Sequence, residues 1–243
     1  KPKVEPSQIA TADADIGKLL PQQPIKKTLD NGVRVLLYPD HSLPRAHAKV
    51  FVLGGVRGET SSTNGLGTFV ADLLGKGSSR YSKDQIREKV EGVGASLYGS
   101  LGNNTLYYNL DSLSDDFPSL LPLFCQTFLE PVFKQDDMDD TRRRVLKSIS
   151  KRQDDWFSYG SYFFKKTFFN EHPYGLSLLG ESEIVSSFTV TDVKAHYQRF
   201  MEPKQMVLTI FGDFDSDAVM KTLEDTFGRY RSGQETFDAT TQL

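Results

Sequence analysis

The groups able to do chemistry in this sequence are few, and most lack the company that chemistry needs. Four histidines, His41, His47, His172 and His196, are spread along the 243 residues, with no pair at i,i+4 and no H-x-H. Two imidazoles on one helical face are the shortest local route to a zinc site, so no local pair makes one. Cys125 is the only cysteine. It permits neither an intrachain disulfide nor a thiolate cluster. Its setting in the apolar run SLLPLFCQTFLEPVF suits a buried structural thiol rather than a nucleophile. His47 on a strand and His196 on an amphipathic helix read as packing or surface groups. His41 follows Asp40 in a turn, and His172 lies in NEHPYG.

The paired carboxylates are no more promising. Asp154 and Asp155 are adjacent, and Asp213 and Asp215 read as caps of the final helix. Nothing sets two carboxyl groups across a cleft, as glycoside hydrolysis requires. There is no G-x-S-x-G and no G-x-x-x-x-G-K-[ST], and the glycines of VLGGVRGET do not match a dinucleotide fingerprint. Nucleophilic and nucleotide-dependent chemistry therefore have no support.

Composition narrows the partners. The chain is 38% hydrophobic and 25% charged, with a net charge of −3, which is ordinary globular composition. That balance points away from nucleic acid and from an anionic membrane. Arg142 to Arg144 follow the acidic DDMDD and read as a solvated helix face. No apolar stretch approaches the ~20 residues needed to cross a bilayer, so no direct membrane insertion is expected. Residues 1–24, rich in Pro, Ala, Asp and Gln, read as a linker or trimmed leader. Residues 25–231 read as one domain, and 232–243 as the start of a linker to a following domain.

The elements that must position these groups follow from period and punctuation. Asn31-Gly32 is a turn signal, and Val33 to Tyr38 is a β-rich run ended by Pro39. Ala46 to Gly55 forms a second strand, expected beside the first with a longer connection between them. The period then changes: Leu66, Phe69, Val70, Leu73 and Leu74 fall at helical spacing until Gly75 and Gly77. Ser82 caps a second amphipathic helix with Ile86, Val90 and Val93 inward. ASLYGSLG and NTLYYNLDSL are strands joined at Gly102-Asn103. DDFPSLLPLFCQTFLEP is helical with Pro118 in its first turn. Residues 135–169 predict two helices broken between Trp156 and Gly160, and ESEIVSSF a short helix. Thr189 and Asp192 form a capping box. KQMVLTIFGDF is a buried strand before the last helix, DAVMKTLEDTFGRY. Hairpin-like strands with helices between them predict an α+β class and a mostly antiparallel mixed sheet, with helices on one face.

Taken in order, these segments resemble the M16 metallopeptidases (pitrilysin, insulysin, mitochondrial processing peptidase). TLDNGVRVLLYPDHSLP is similar to their first strand and VFVLGGVRGET to the second. NGLGTFVADLLGKGSSRYS resembles the helix that carries their inverted zinc motif, H-x-x-E-H. VGASLYGSLGNNTLYYNL resembles the next two strands, and the block from His172 to Asp215 their closing portion. The resemblance runs from Thr28 to Tyr230 and implies a lobe of the LuxS/MPP-like metallohydrolase fold.

In active members two histidines of that helix and a distant glutamate bind Zn²⁺, and the motif glutamate is the general base on the zinc water. Carried onto this sequence, the first histidine position is Thr68, the catalytic glutamate position Ala71 and the second histidine position Asp72. The third ligand position falls at Ser148, beside Lys147. The resemblance therefore implies no metal and no catalytic residue in this chain. It implies a non-catalytic lobe that pairs with an active zinc-bearing lobe, on the same long chain or as a separate subunit. The pair would enclose a chamber and contact peptide substrate. The strand after the zinc helix in active lobes is an edge that pairs with peptide by β-augmentation. Here it is Leu97, Tyr98, Gly99, Ser100 and Leu101. A different expectation is a structural scaffold subunit, as in the core proteins of the respiratory bc1 complex. The expected setting is soluble, with a lean to the bacterial periplasm.

Overall fold

The computed structural model describes residues 23–231. The linker start at 232–243 lies outside the described residues, as does the expected leader apart from its last two positions. Six strands make one sheet: β1 (Ile25–Thr28), β2 (Arg34–Pro39), β3 (Arg45–Leu53), β4 (Ser96–Leu101), β5 (Thr105–Leu113) and β6 (Met206–Gly212). Their spatial order is β1-β2-β6-β3-β5-β4, with β2 and β6 parallel and every other neighbour antiparallel. The α+β class and the mostly antiparallel sheet agree with the sequence reading.

The expected pairing of the first two long strands does not. β6 comes from the far end of the chain and sits between β2 and β3, with Val35 opposite Leu208 and Val50 opposite Leu208 on the other side. All three strands are apolar enough to be interior, and the alternation of residues does not record which pairs with which. β1 was unannounced. All four of its residues are exposed, so it has no buried face to give a period.

Alternation then separates the two faces. Ala46, Ala48, Val50 and Val52 of β3 are buried, while His47, Lys49, Phe51 and Leu53 between them are half-exposed. The helices pack on the first of these faces. They are α1 (Leu66–Leu73), α2 (Lys83–Glu91), α3 (Phe117–Leu129), α4 (Gln135–Asp154), α5 (Trp156–Phe169), α6 (Ser182–Ser187), α7 (Val190–Phe200) and α8 (Ser216–Asp225). Tyr108 of β5 stacks on Phe124 and Phe128 of α3, with ring centroids 5.3 and 5.9 Å apart, which locks the sheet to that helix. The Tyr108 hydroxyl, fully buried there, is paired with the Thr127 hydroxyl at 3.0 Å.

The caps fall where the residue types place them. Ser82 and Gln85 form a reciprocal capping box on α2, and Thr189 with Asp192 does the same on α7. Asp215 accepts from Ala218 N at 2.7 Å to start α8. Asp213 does not cap: it pairs with His41 Nδ1 at 2.5 Å. Val93 is exposed rather than inward, because Gly92 ends α2 before it. The break between α4 and α5 falls at Asp155, whose carboxylate accepts from Ser158 N at 2.6 Å, so Gly160 lies inside a helix. No helix among the described residues is long and apolar enough to cross a membrane.

Candidate functional site

The site is built where α1 lies between the end of β3, the strand β4, the helix α4 and a loop at 176–181. Its anchor is a residue the sequence reading passed over. Glu59, on the loop that follows β3, is buried and accepts from Gly65 N at 2.8 Å, Gly67 N at 2.7 Å and the Asn64 amide at 2.9 Å. A carboxylate so placed satisfies the open amides at the N-terminus of α1 and complements its dipole. Gly65 precedes the helix at φ 106°, a left-handed backbone that a side chain resists.

Burial pushes the Glu59 carboxyl up to about 7, against the lowering effect of its three donors. Behind it lies His196 of α7, its Nε2 3.9 Å from Glu59 Oε1. Burial, reinforced by Arg199, depresses the His196 imidazole to about 4. His196 is thus a core group, one of the two outcomes expected for it. The signal for Glu59 was a single carboxylate eight residues before a helical glycine, too common a pattern to single out.

The four positions that resemblance assigns to zinc chemistry are all engaged otherwise. The Thr68 hydroxyl donates to Leu178 O at 2.5 Å. Ala71 is buried and offers only a methyl group. Asp72 is paired with Arg144 of α4, Oδ2 to Nη2, at 3.1 Å. Ser148, one turn beyond Arg144 on α4, donates to Arg144 O at 3.0 Å and so turns back on its own helix. The residues present do not fit a zinc ion. Zinc needs three donors converging with free lone pairs, and here the hydroxyls of Thr68 and Ser148 are both spent on carbonyls while Asp72 faces a guanidinium. Among the described residues no group of three or more His, Cys, Asp or Glu is placed to hold a metal.

Arg144 belongs to the run read as a solvated face, and the helix divides that run three ways. Arg142 pairs with Asp139 and donates to Phe188 O, Arg143 pairs with Asp140, and Arg144 reaches Asp72. Beside this pair, Lys76 donates to Thr141 Oγ1 at 3.0 Å, and its ammonium pKa is lowered first by burial and then by Arg144. The tie between α1 and α4 is therefore ionic.

The remaining candidates are scattered. His47 is paired with Asp111 on the open sheet face. His172 accepts from Tyr174 N at 3.1 Å and starts the short turn Pro173–Gly175. Cys125 is fully buried, and burial raises its thiol to about 12. Leu97 to Leu101 form all but the first residue of β4, which is hydrogen-bonded to β5 on one side and is the last strand of the sheet. Tyr98 is exposed, and Gly99 lies against the backbone of Ala71. An edge strand with its outer amides and carbonyls unclaimed by the sheet can accept an extended peptide as a further strand.

The sequence matches two family models: insulinase (peptidase family M16) over residues 34–182 and the peptidase M16 inactive domain over residues 187–242. An "uncharacterized zinc protease" of Mycobacterium leprae is 27% identical over 203 residues, 84% of this chain and 46% of that protein. Subunit 1 of the rat mitochondrial cytochrome b-c1 complex is 25% identical over 199 residues, 82% of this chain and 41% of that subunit. Among solved structures, a protease from Helicobacter pylori superposes with a TM-score of 0.81 at 20% identity, over 88% of this chain and 52% of that one. The periplasmic protease PqqL of Escherichia coli gives 0.79 at 18% identity, over 90% of this chain and 25% of that one. The chain spans about half the length of the curated relatives it matches.

Proposed function

Because the chain belongs to the insulinase family of peptidases (M16), we propose that it is a non-catalytic lobe that completes a proteolytic chamber with an active, zinc-bearing partner lobe. The lobe is residues 25–231. Its partner stands on the same long chain or is a separate subunit, and the zinc belongs to that partner. The observation that carries this reading is the Asp72–Arg144 pair at 3.1 Å, together with Ala71 in place of a general base. Without a carboxylate at position 71 no side chain accepts the proton of an attacking water. The matches to only half of each longer relative support a paired architecture. The free edge of β4, from Leu97 to Leu101, is the surface offered to extended peptide. The soluble, periplasmic setting rests on the likeness to the E. coli periplasmic protease.

A second reading is favoured by the match to the rat b-c1 subunit: a scaffold of this fold with no proteolytic partner. Mixing separates the two. Full chain combined with a zinc-bearing M16 subunit from the same source should cleave extended peptides, and neither alone should. Absence of any complex with such a subunit, with stable incorporation into a membrane assembly instead, would support the scaffold. The chain by itself should carry far less than one equivalent of zinc by elemental analysis after purification in zinc-containing buffer; a stoichiometric ion would overturn the non-catalytic assignment.

Restoring the motif should not restore activity. The triple variant Thr68→His, Ala71→Glu, Asp72→His leaves Ser148 where the third ligand is needed and strands Arg144 beside an introduced imidazole. It should also put a carboxylate at buried position 71, at a cost of several kcal/mol if charged. Peptide hydrolysis by the purified triple variant is expected at background, and robust turnover would sink the claim.

A further inference from the structure

Helix α5 is the anomaly of the molecule. Its 14 residues read WFSYGSYFFKKTFF, and none is buried. It is held to the body mainly through Tyr162, whose hydroxyl donates to Glu181 at 2.6 Å and whose ring lies 3.8 Å under the Arg152 guanidinium, and through Phe169 against Tyr174. Trp156, Phe157, Tyr159, Phe163, Phe164 and Phe168 all project into solvent, Trp156 with 84% of its surface open. At ~100° per residue these six cover one half of the helix, centred on Gly160 and Thr167. The core is complete without them. Their combined exposed surface is roughly 800 Å², counting ~200 Å² for a whole aromatic side chain. That exceeds the apolar patch an ordinary monomer shows and equals one partner's share of a standard interface.

The sequence around Gly160 names the occupant. Asp154-Asp155-Trp156-Phe157 precede it and Phe163-Phe164-Lys165-Lys166 follow it. About Gly160 as centre, Phe157 mirrors Phe163 and Trp156 mirrors Phe164, while Asp155 and Asp154 mirror Lys165 and Lys166. The stretch is symmetric in these four aromatic residues, whereas the charges are turned away from the contact: Asp155 caps the start of α5 and Lys166 is bonded to Tyr162 and Glu181. Such a segment is complementary to itself run backwards, which is what an isologous two-fold contact demands. Antiparallel pairing also sets the helix dipoles in opposition. Gly160 has nothing within 4 Å of where a Cβ would lie, so no internal contact requires it. In an exposed helix interior glycine costs about 1 kcal/mol relative to alanine, and close helix approach at a crossing point is a reason to keep one.

We propose that two copies of this chain associate through α5, helix antiparallel to helix about a two-fold axis at Gly160. Trp156 and Phe157 then pack on Phe164 and Phe163 of the copy.

Sedimentation of the full chain should give a dimer at micromolar concentration. Gly160→Leu should weaken dimerisation by about tenfold or more, with far-UV dichroism and melting temperature of the monomer unchanged or raised. Register is read by oxidation. Gly160→Cys should form a disulfide-linked dimer, because residue 160 meets its own copy, whereas Thr167→Cys should not, since its copies lie roughly 20 Å apart along an antiparallel pair. The proposal fails if the full chain is monomeric throughout, including a monomer that coats phospholipid vesicles or binds only a zinc-bearing lobe. It also fails if a dimer persists whose Gly160→Cys form does not cross-link.

Discussion

Glu59→Leu should destabilise the protein by about 3–5 kcal/mol, since it strands three buried donors at roughly 1–3 kcal/mol each with partial relaxation. The donors are Gly65 N, Gly67 N and the Asn64 amide, and two of them belong to the start of α1. Glu59→Gln keeps one acceptor oxygen and should cost less, which makes it the better probe of charge. The carboxyl titrates near 7 in the fold against an ordinary 4.5, so between those values the folded chain holds a proton that the unfolded chain has released. Stability from this group is complete below pH 4.5 and is lost as pH rises towards 7. His196 does the reverse. Its folded value near 4 lies below the ordinary 6.5, so the unfolded chain takes up the proton first, and stability from it rises between pH 4 and 6.5.

Each group contributes about 3 kcal/mol over its window, since every pH unit between its folded and unfolded values is equivalent to roughly 1.4 kcal/mol. The two slopes oppose, and in the native protein they cancel between pH 4.5 and 6.5. Urea unfolding across that range should therefore be nearly flat for the native chain. For Glu59→Gln, stability should climb with pH, and for His196→Phe it should fall. Parallel slopes in the two variants would contradict the buried pairing of the two groups.

The distribution of what could be read in advance follows from distance along the chain. Local devices were legible: the helical period of Leu66 to Leu74, the Ser82 and Thr189 capping boxes and the Asp215 cap each complete themselves within a few residues. Thr68, Ala71 and Asp72 were legible as residues of α1 for the same reason, since they stand on neighbouring turns of one helix. The partner of Asp72 was not. Arg144 meets Asp72 from a helix 72 positions later, and in sequence it is one of three like-charged neighbours. The insertion of β6 between β2 and β3 is likewise a non-local choice among similar apolar strands. The reach of β1 was hidden by its exposure, because a strand with no buried face leaves no alternation.

Gly99→Ala should lower stability by about 3 kcal/mol, the upper end of overpacking costs, because the neighbour it strikes is backbone. A Cβ at position 99 falls on the Ala71 carbonyl, with Ala71 C at 2.9 Å and Cα at 3.0 Å. No rotamer relieves that contact. Either β4 bends outward or α1 lifts from the sheet, and α1 is held at its other end by Glu59 and on its flank by Arg144. Gly102→Ala, where the nearest atom is Thr105 O at 3.4 Å, serves as the control and should stay within about 1 kcal/mol. The contact also couples fold to function. β4 is the edge proposed above for extended peptide, and Gly99 fixes its spacing from α1. If the edge still binds, Gly99→Ala should weaken extended-peptide binding under conditions where the variant remains folded, and Gly102→Ala should not. A stable Gly99→Ala variant with unchanged binding would mean that the seat of α1 on β4 does not organise that edge.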